Sequence, residues 1–435
     1  MLNVIWVVMM IGALVSAALT GRIDEVTKAS TDGAKLAVTL ALGLIGVMAF
    51  WLGMMRVLQR GGLLDAMARV LKPVLSRLFP EVPAEHPAMS MMVMNMTSNM
   101  LGLGNAATPF GLKAMLELDK LNKTKGTASN AMCLFLAINT SGVAVLPLGM
   151  VAVRAELGST KPGAIIASTL LATFLSTTVA VICAFTFSRM KWFAPPVATV
   201  AEAAGATGDI DVADAEAAFD GAKSEVLVSK PLWGGLAALC FGGAFAYAFV
   251  GLLQDVGLAE ALKVVIQNWL LVILIGMIVI YGFWRGVKVY DALIEGAREG
   301  FDVALRIIPY MVAILVAVGM LRASGALGLV TDTLAPLTAL VGMPAEVFPM
   351  AVLRTLSGSG AFGMSSELMT THGPDSLIGL IASTMQGSTE TTFYVLALYF
   401  GVVRVKETRH ALPVCLIADT VGAIAAVWTC KLLLF

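Results

Sequence analysis

The sequence predicts an all-α polytopic membrane protein of two inverted-topology repeats, with about nine transmembrane helices and two re-entrant helical hairpins. Three observations predict it. Of the 435 residues 58% are apolar and only 13% charged, against roughly one quarter charged in soluble domains, which excludes a water-soluble globule. Apolar runs of bilayer length recur along the chain, and lysine and arginine cluster in alternate joints between them. Formal net charge is zero, so no basic surface invites nucleic acid; the placement of charge reports topology instead.

Runs near 2–19, 36–55, 128–150, 163–187 and 232–252, then 266–284, 303–321, 377–400 and 411–434, approach or exceed the roughly 20 residues that cross a bilayer. The stretch from Leu2 to Leu19 lacks the basic start and small-residue cleavage site of a secretory leader and reads as a retained first span. Segments 88–112 and 344–366 are apolar but broken by glycine, asparagine, serine and proline, and read as re-entrant hairpins. Charge separates the two. Short cytoplasmic loops are enriched in lysine and arginine. Arg56, Arg60, Arg69, Lys72 and Arg77 precede the first broken segment and Lys113, Lys120, Lys123 and Lys125 follow it. Both flanks then lie in the cytoplasm and the segment dips and returns. Around the second broken segment no lysine or arginine occurs between Arg322 and Arg404 except Arg354, so its flanks face outward. Arg189, Lys191, Lys223, Lys230, Arg285, Lys288, Arg298, Arg404, Lys406 and Arg409 then fall on the cytoplasmic side. The same assignment puts the N-terminus in the cytoplasm and the C-terminus outside. The stretch from Arg56 to Arg77, with apolar residues interleaved, reads as an interfacial amphipathic helix.

The sequence also divides. A first repeat over 1–190 and a second over 231–435 flank a polar linker at 191–230, rich in alanine, glycine and acidic residues such as Glu202, Asp209 and Asp214. Gly33-Ala34-Lys35 answers Gly296-Ala297-Arg298, Gly62 answers Gly325 and Pro73 answers Pro336, all offset by 263 residues. Each half orders its elements as span, span, hairpin, span, span. The extra span at 232–252 makes the second half enter inverted, a plan common among secondary transporters with a midplane site.

Polar groups concentrate where such a site would lie. The first hairpin carries Asn95, Thr97, Asn99, Asn105 and Thr108, and the second Arg354, Ser357 and Ser359. The following spans are interrupted by Asn139, Thr140 and Ser141 in one half, and by Gln386, Ser388, Thr389 and Glu390 in the other. A carboxylate at midplane costs at least about 2.5 kcal/mol unless paired, protonated or solvated, which makes Glu390 the candidate for coupling to Na+ or H+. Small polar residues also serve tight helix packing alone, and Arg354 with Glu390 could be a purely structural ion pair. The repetition in both halves favours function. Arg322 and Asp419 read as outlying residues, the five cysteines as small buried hydrophobes, and His86, His372 and His410 as hydrogen-bonded surface residues. No metal-ligand spacing, phosphate-binding loop or nucleophile motif occurs, so neither an enzyme nor a cofactor is expected.

These stretches resemble the paired bacterial spore maturation proteins A and B, which carry a nucleoside recognition or Gate domain. The first half is similar to protein A through NMTSNMLGLGNAATPFGLKAM (95–115) and FLAINTS (135–141). The second is similar to protein B through RIIPYMVAILVAVGMLRASGAL (306–327), STMQGSTETTFYVLALYFG (383–401) and TRHALPVCLIADTVG (408–422). The resemblance implies a natural fusion of the two, a plan like that of concentrative nucleoside transporters and a bacterial inner membrane. It also implies a secondary transporter that moves a small polar solute, anionic solutes included, by alternating access. No base-stacking or ribose-binding set maps onto these residues, so the family description does not fix the solute. The competing expectation is a non-transporting scaffold or sensor that supports envelope or spore maturation. The partners implied are a small-molecule solute and the lipid bilayer, with a homo-oligomer left open and no nucleic acid.

Overall fold

A backbone in hydrocarbon must satisfy its N–H and C=O groups within its own segment, and the apolar runs accordingly become helices. The computed structural model describes residues 2–102, 104–193, 231–265 and 269–434. Its helices are α1 (Leu2–Thr20), α2 (Ile23–Arg60), α3 (Leu63–Leu78), α4 (Pro87–Met100), α5 (Gly104–Leu121), α6 (Asn130–Ser141), α7 (Leu148–Glu156) and α8 (Ile165–Ser188). After the linker, most of which lies outside the described residues, come α9 (Pro231–Val264), α10 (Leu270–Trp284), α11 (Val289–Ala323), α12 (Ala326–Ala339), α13 (Phe348–Leu356), α14 (Gly358–His372), α15 (Leu377–Ser388), α16 (Thr392–Val402) and α17 (Ala411–Leu433). Among the described residues the sole strand pairing is an isolated bridge between Thr127 and Glu407.

Among the described residues nine uninterrupted spans do not appear. Four helical stretches, Ile23–Arg60, Pro162–Ser188, Leu232–Leu258 and Ala411–Leu433, are each long and apolar enough to cross a membrane, or up to six if two sharply bent helix pairs each count as one span. The expected spans at 128–150 and 377–400 instead break into α6 with α7 and α15 with α16. The cause is the polar interruption that the sequence carries in each. Helix α2 exceeds its apolar run in the other direction: 38 residues at 1.5 Å rise make about 57 Å, well beyond the roughly 30 Å hydrocarbon layer.

The order α2, α3, α4–α5, α6–α7, α8 recurs as α11, α12, α13–α14, α15–α16, α17. Local geometry recurs with it. Gly62 (φ 78°) and Gly325 (φ 80°) each turn the chain in the left-handed region that favours glycine, at the start of α3 and of α12. The carbonyl just before each is held from the other half: Tyr281 Oη of α10 and Arg285 Nε at its end donate to Gly61 O at 3.0 and 2.8 Å, and Ser16 Oγ of α1 donates to Ser324 O at 2.9 Å.

Helices α2 and α11 form the most extensive helix pair. A Cβ at Gly33 would lie 2.9 Å from Leu315 O, one at Gly296 would lie 2.5 Å from Leu52 O, and one at Gly53 would lie 2.6 Å from Leu293 O. The start of α2 thus meets the end of α11 and the reverse, so the two helices run antiparallel. Gly33 and Leu52 correspond to Gly296 and Leu315 at the 263-residue offset, which makes the contact reciprocal, as in a two-fold interface. Arg56 and Arg60, expected on the interfacial helix, belong to the end of α2 and pair with Glu295 of α11. Helix α9 stands outside this packing, with none of its apolar window buried. Cys240 on it is exposed, whereas Cys133, Cys415 and Cys430 are buried as expected.

Gly53→Leu should force α2 from α11 and destabilise the fold by about 1–3 kcal/mol or more, read as a lower thermal unfolding midpoint in detergent. Gly46→Ala, with nothing within 4 Å of its Cβ position, should leave the midpoint unchanged or slightly raised.

Candidate functional site

Both broken helices begin alike, with Ser129 Oγ accepting from Met132 N at 3.2 Å and Ser376 Oγ from Gly379 N at 3.0 Å. They end for related reasons. In α6, Asn139, Thr140 and Ser141 hydrogen-bond carbonyls of their own helix, at Phe135 O (2.9 Å) and Ala137 O (3.1 and 2.7 Å), and the chain then meets Gly142 and Pro147, which disfavour helix at and before them. In α15, Ser388 Oγ donates to Met385 O at 3.1 Å and Thr389 is extended. The two breaks touch: the Glu390 amide donates to the Thr140 carbonyl at 2.7 Å. Small residues permit the approach, since a Cβ on Gly387 would lie 2.9 Å from Pro147 Cβ and one on Gly422 would lie 2.5 Å from Thr389 Cγ2.

Each helix-pair tip lies against the break of its own half. At the first, the Val145 amide donates to Met100 O at 2.9 Å, Asn99 Nδ2 donates to Asn139 Oδ1 at 3.0 Å, and Gly102 (φ 73°) leaves room for Leu146 O. At the second, Ser357 caps α14 by accepting from Gly360 N at 3.0 Å, with Ser359 Oγ 3.4 Å away. Gln386 Nε2 donates to Gly358 O at 3.3 Å. Asn95 joins the halves: its Nδ2 donates to Ala107 O at 2.7 Å and lies 3.2 Å from Tyr399 Oη on α16.

Arg354 is buried, and its Nη2 stands 3.8 Å from Glu390 Oε2. Glu390 keeps 59% of its side chain exposed, so this pair is loose and half solvated. Several buried polar atoms here make no hydrogen bond: Asn95 Oδ1, Ser98 Oγ, Gln386 Oε1 and Arg354 Nε. Buried polar groups are nearly always satisfied, so these atoms are capacity for a ligand or water. Not every expected residue belongs. Thr97 Oγ1 donates to Val93 O of its own helix at 2.8 Å, and Thr389 is covered by α17 at Gly422. Thr108 is half-buried on α5, and the side chain of Asn105 lies outside the described residues.

The largest polar constellation was missed by sequence. Arg154 on α7 is fully buried and donates to Pro162 O, Pro374 O, Ser383 Oγ, Ser159 Oγ, Lys161 O and Asp375 Oδ1, at 2.5–3.3 Å. It locks the turn after α7 to the turn before α15. Burial alone would raise the Asp375 carboxyl, but donation from Ser159 and Thr160 and the charge of Arg154 outweigh it and hold it below the usual range. Arg322 pairs with Glu367 and Thr371 of α14 and is a tie between helices. His410 corrects the expectation of a surface histidine: it is 1% exposed, stands edge-on to Phe193, and neither ring nitrogen has a partner. Burial, aided by Arg409, pulls its pKa down to about 4. Among the described residues no group of three or more His, Cys, Asp or Glu could hold a metal ion.

Membrane-length helices around two interrupted helices, with polar atoms at the breaks, define a polytopic membrane protein with a polar centre. The family described as Gate, nucleoside recognition, matches residues 41–160 and 304–406, just over half the chain, and the chain belongs to that family. The two matched segments contain every binding and coupling residue expected from sequence, and Asp419 lies beyond them. Spore maturation protein A of Bacillus subtilis is 43% identical over 176 residues, which span 40% of this chain and 90% of that protein. Spore maturation protein B of the same organism is 46% identical over 166 residues, 37% of this chain and 93% of that protein. The inner membrane protein YjiG of Escherichia coli is 29% identical over 150 residues, 34% of this chain and 95% of that protein. No solved structure matches the chain.

Arg154→Ala leaves the partly exposed Asp375 to Ser159 and Thr160 and strands several carbonyls, and should cost about 1–3 kcal/mol of stability, seen as a drop in unfolding midpoint. His410 has a folded pKa of about 4, below the unfolded value of about 6.5. Its neutral form is the one the fold accepts, so its contribution is complete above pH ~6.5 and lost as pH falls toward 4. The unfolding midpoint of the native chain should therefore fall more steeply across that window than that of His410→Leu.

Proposed function

We propose that the chain is a secondary transporter of a small polar solute, anionic solutes included, which works by alternating access and holds its cargo at midplane between two re-entrant hairpins. The observation that carries this reading is the meeting of the two helix breaks at Thr140 and Glu390 with a helix-pair tip seated on each. Irregular backbone at membrane depth persists only inside protein or along a water-filled cavity, and paired discontinuous helices are how carriers build substrate sites. The reciprocal contact of antiparallel α2 and α11 supports 1–190 and 231–435 as inverted repeats about the linker 191–230. The basic residues support a cytoplasmic N-terminus and an external C-terminus in the inner membrane.

In this reading Arg354 and the N-terminus of α14 receive an anionic group. Asn95, Asn99 and Gln386 supply hydrogen bonds, and Glu390 couples Na+ or H+. The names of the curated relatives favour a second reading, a scaffold or sensor for envelope or spore maturation.

The test is flux in proteoliposomes across a panel of nucleosides, dicarboxylates, amino acids and other metabolites. Glu390→Gln and Arg354→Ala should each cut flux of the transported solute at least about tenfold, the loss of roughly 1.4 kcal/mol of interaction. A cargo present at 100 times its Kd should stabilise the fold by about 2.7 kcal/mol. Unchanged flux in both variants would remove the roles given to these residues, and a panel that yields neither flux nor stabilisation would leave the scaffold reading.

A further inference from the structure

One guanidinium on α13 faces two carboxylates from different elements. Glu390 comes from the α15–α16 break and approaches Arg354 Nη2 at 3.8 Å. Asp419 comes from α17, is 5% exposed, and acts on Arg354 through space. Neither Asp419 oxygen makes a hydrogen bond, the neighbouring Thr392 hydroxyl of α16 falls short of hydrogen-bond geometry, and Arg354 Nε is likewise buried without a partner. The other groups around Asp419 are uncharged: the Cys415 thiol one turn earlier on α17, Thr420 beside it, Thr338 of α12 and Thr355 of α13. Ser176 of α8 is engaged by the Ala418 carbonyl.

The charges of the three groups do not cancel. With all of them ionised the cluster carries one net negative charge inside the helix bundle, and a buried carboxylate without a hydrogen bond or a close cation is strongly disfavoured. Arg354 stands by Glu390 and leaves the buried Asp419 without a hydrogen bond or a close cation. Glu390, more than half exposed, is open to solvent. Asp419 has no such relief. It also forms part of the wall of a cavity of about 460 Å³ between α12, α13 and α17, whose outer residues Leu337 and Leu340 are exposed. The residue borders that cavity, although both of its carboxylate oxygens are covered.

We infer that Asp419 is the proton-carrying group of this protein, and that Arg354 exchanges between Glu390 and Asp419 as Asp419 is protonated and deprotonated. The step balances simply: the Asp419 carboxylate takes a proton from hydronium on the cavity side and becomes a neutral acid, and Arg354 remains with Glu390. Loss of that proton draws Arg354 to Asp419 and frees Glu390. The inference rests on the transport reading for its purpose, and it moves proton coupling from Glu390 to Asp419. Three groups on three elements then change partners together, so protonation of one side chain is felt at the helix break where the halves meet.

Infrared spectroscopy of the full chain in lipid tests this without any transported solute. A carbonyl stretch of a protonated carboxylic acid that vanishes as pH is raised should be present in the native chain, vanish at a lower pH in Glu390→Gln, which leaves Arg354 free to pair with Asp419, and be absent from Asp419→Asn. Since Asp419→Asn could unfold, carbon-13 labelling of the native chain gives a second measurement: the band should shift with labelled aspartate and stay in place with labelled glutamate. A band that follows glutamate, survives Asp419→Asn, or is missing from the native chain overturns the inference. A chain that shows the aspartate band yet moves nothing in the flux assay supports the proton site and counts against the transport reading alone.

Discussion

The structure depends on a single constraint: a helix that stops inside the membrane leaves backbone groups that lipid cannot satisfy. Here two helices stop, and each answers part of the other's need. The Glu390 amide finds the Thr140 carbonyl, the Val145 amide finds Met100 O, and the Ser141 carbonyl accepts from Thr177 of α8. Every one of those partners comes from a different element. The tips, the long helices α8 and α17 and the glycines that admit them are therefore conditions for the breaks to exist. A polar centre assembled this way is held from all sides and still keeps unsatisfied atoms of its own.

The outer frame obeys a different rule. Between helices in a bilayer the hydrophobic effect offers little, and close backbone approach through small residues takes its place. Gly33, Gly53 and Gly296 provide that approach between α2 and α11. Because the contact is reciprocal, either half could supply the frame for the other. The ion pairs of Arg56 and Arg60 with Glu295 lie at one end of it, where the helices outrun the hydrocarbon and charged side chains can meet water.

Much of this was legible in the sequence. Hydropathy located the helices, the 263-residue offset paired Gly62 with Gly325, and the polar runs at 139–141 and 386–392 marked both breaks. What escaped has physical causes. Hydropathy reports the solvent around a helix and not the helix itself, so the charged first part of α2, with Asp24, Glu25 and Lys28, hid a helix longer than the membrane. Arg154 was passed over because its partners, at Pro374, Asp375 and Ser383, are more than 200 residues away and none forms a motif with it. His410 looked like a loop residue because its cover, Phe193, comes from beyond the preceding repeat's last long helix. In each case local pattern was sound and long-range pairing was invisible.

Helix α9 has a consequence out of proportion to its contacts. Among the described residues it is the one long apolar helix whose window contributes nothing buried, and its close packing is against α10, at Gly234 on Trp284 and Phe241 on Gly276. In the inverted reading its contribution is parity: a single crossing between two halves of like order turns the second one over. Two separate proteins would each have to choose a side of the membrane by their own flanking charges, and an error in either would yield mismatched pairs. Joined through one odd helix, the two orientations are inherited together, and the membrane-insertion machinery has a single decision to make in place of two.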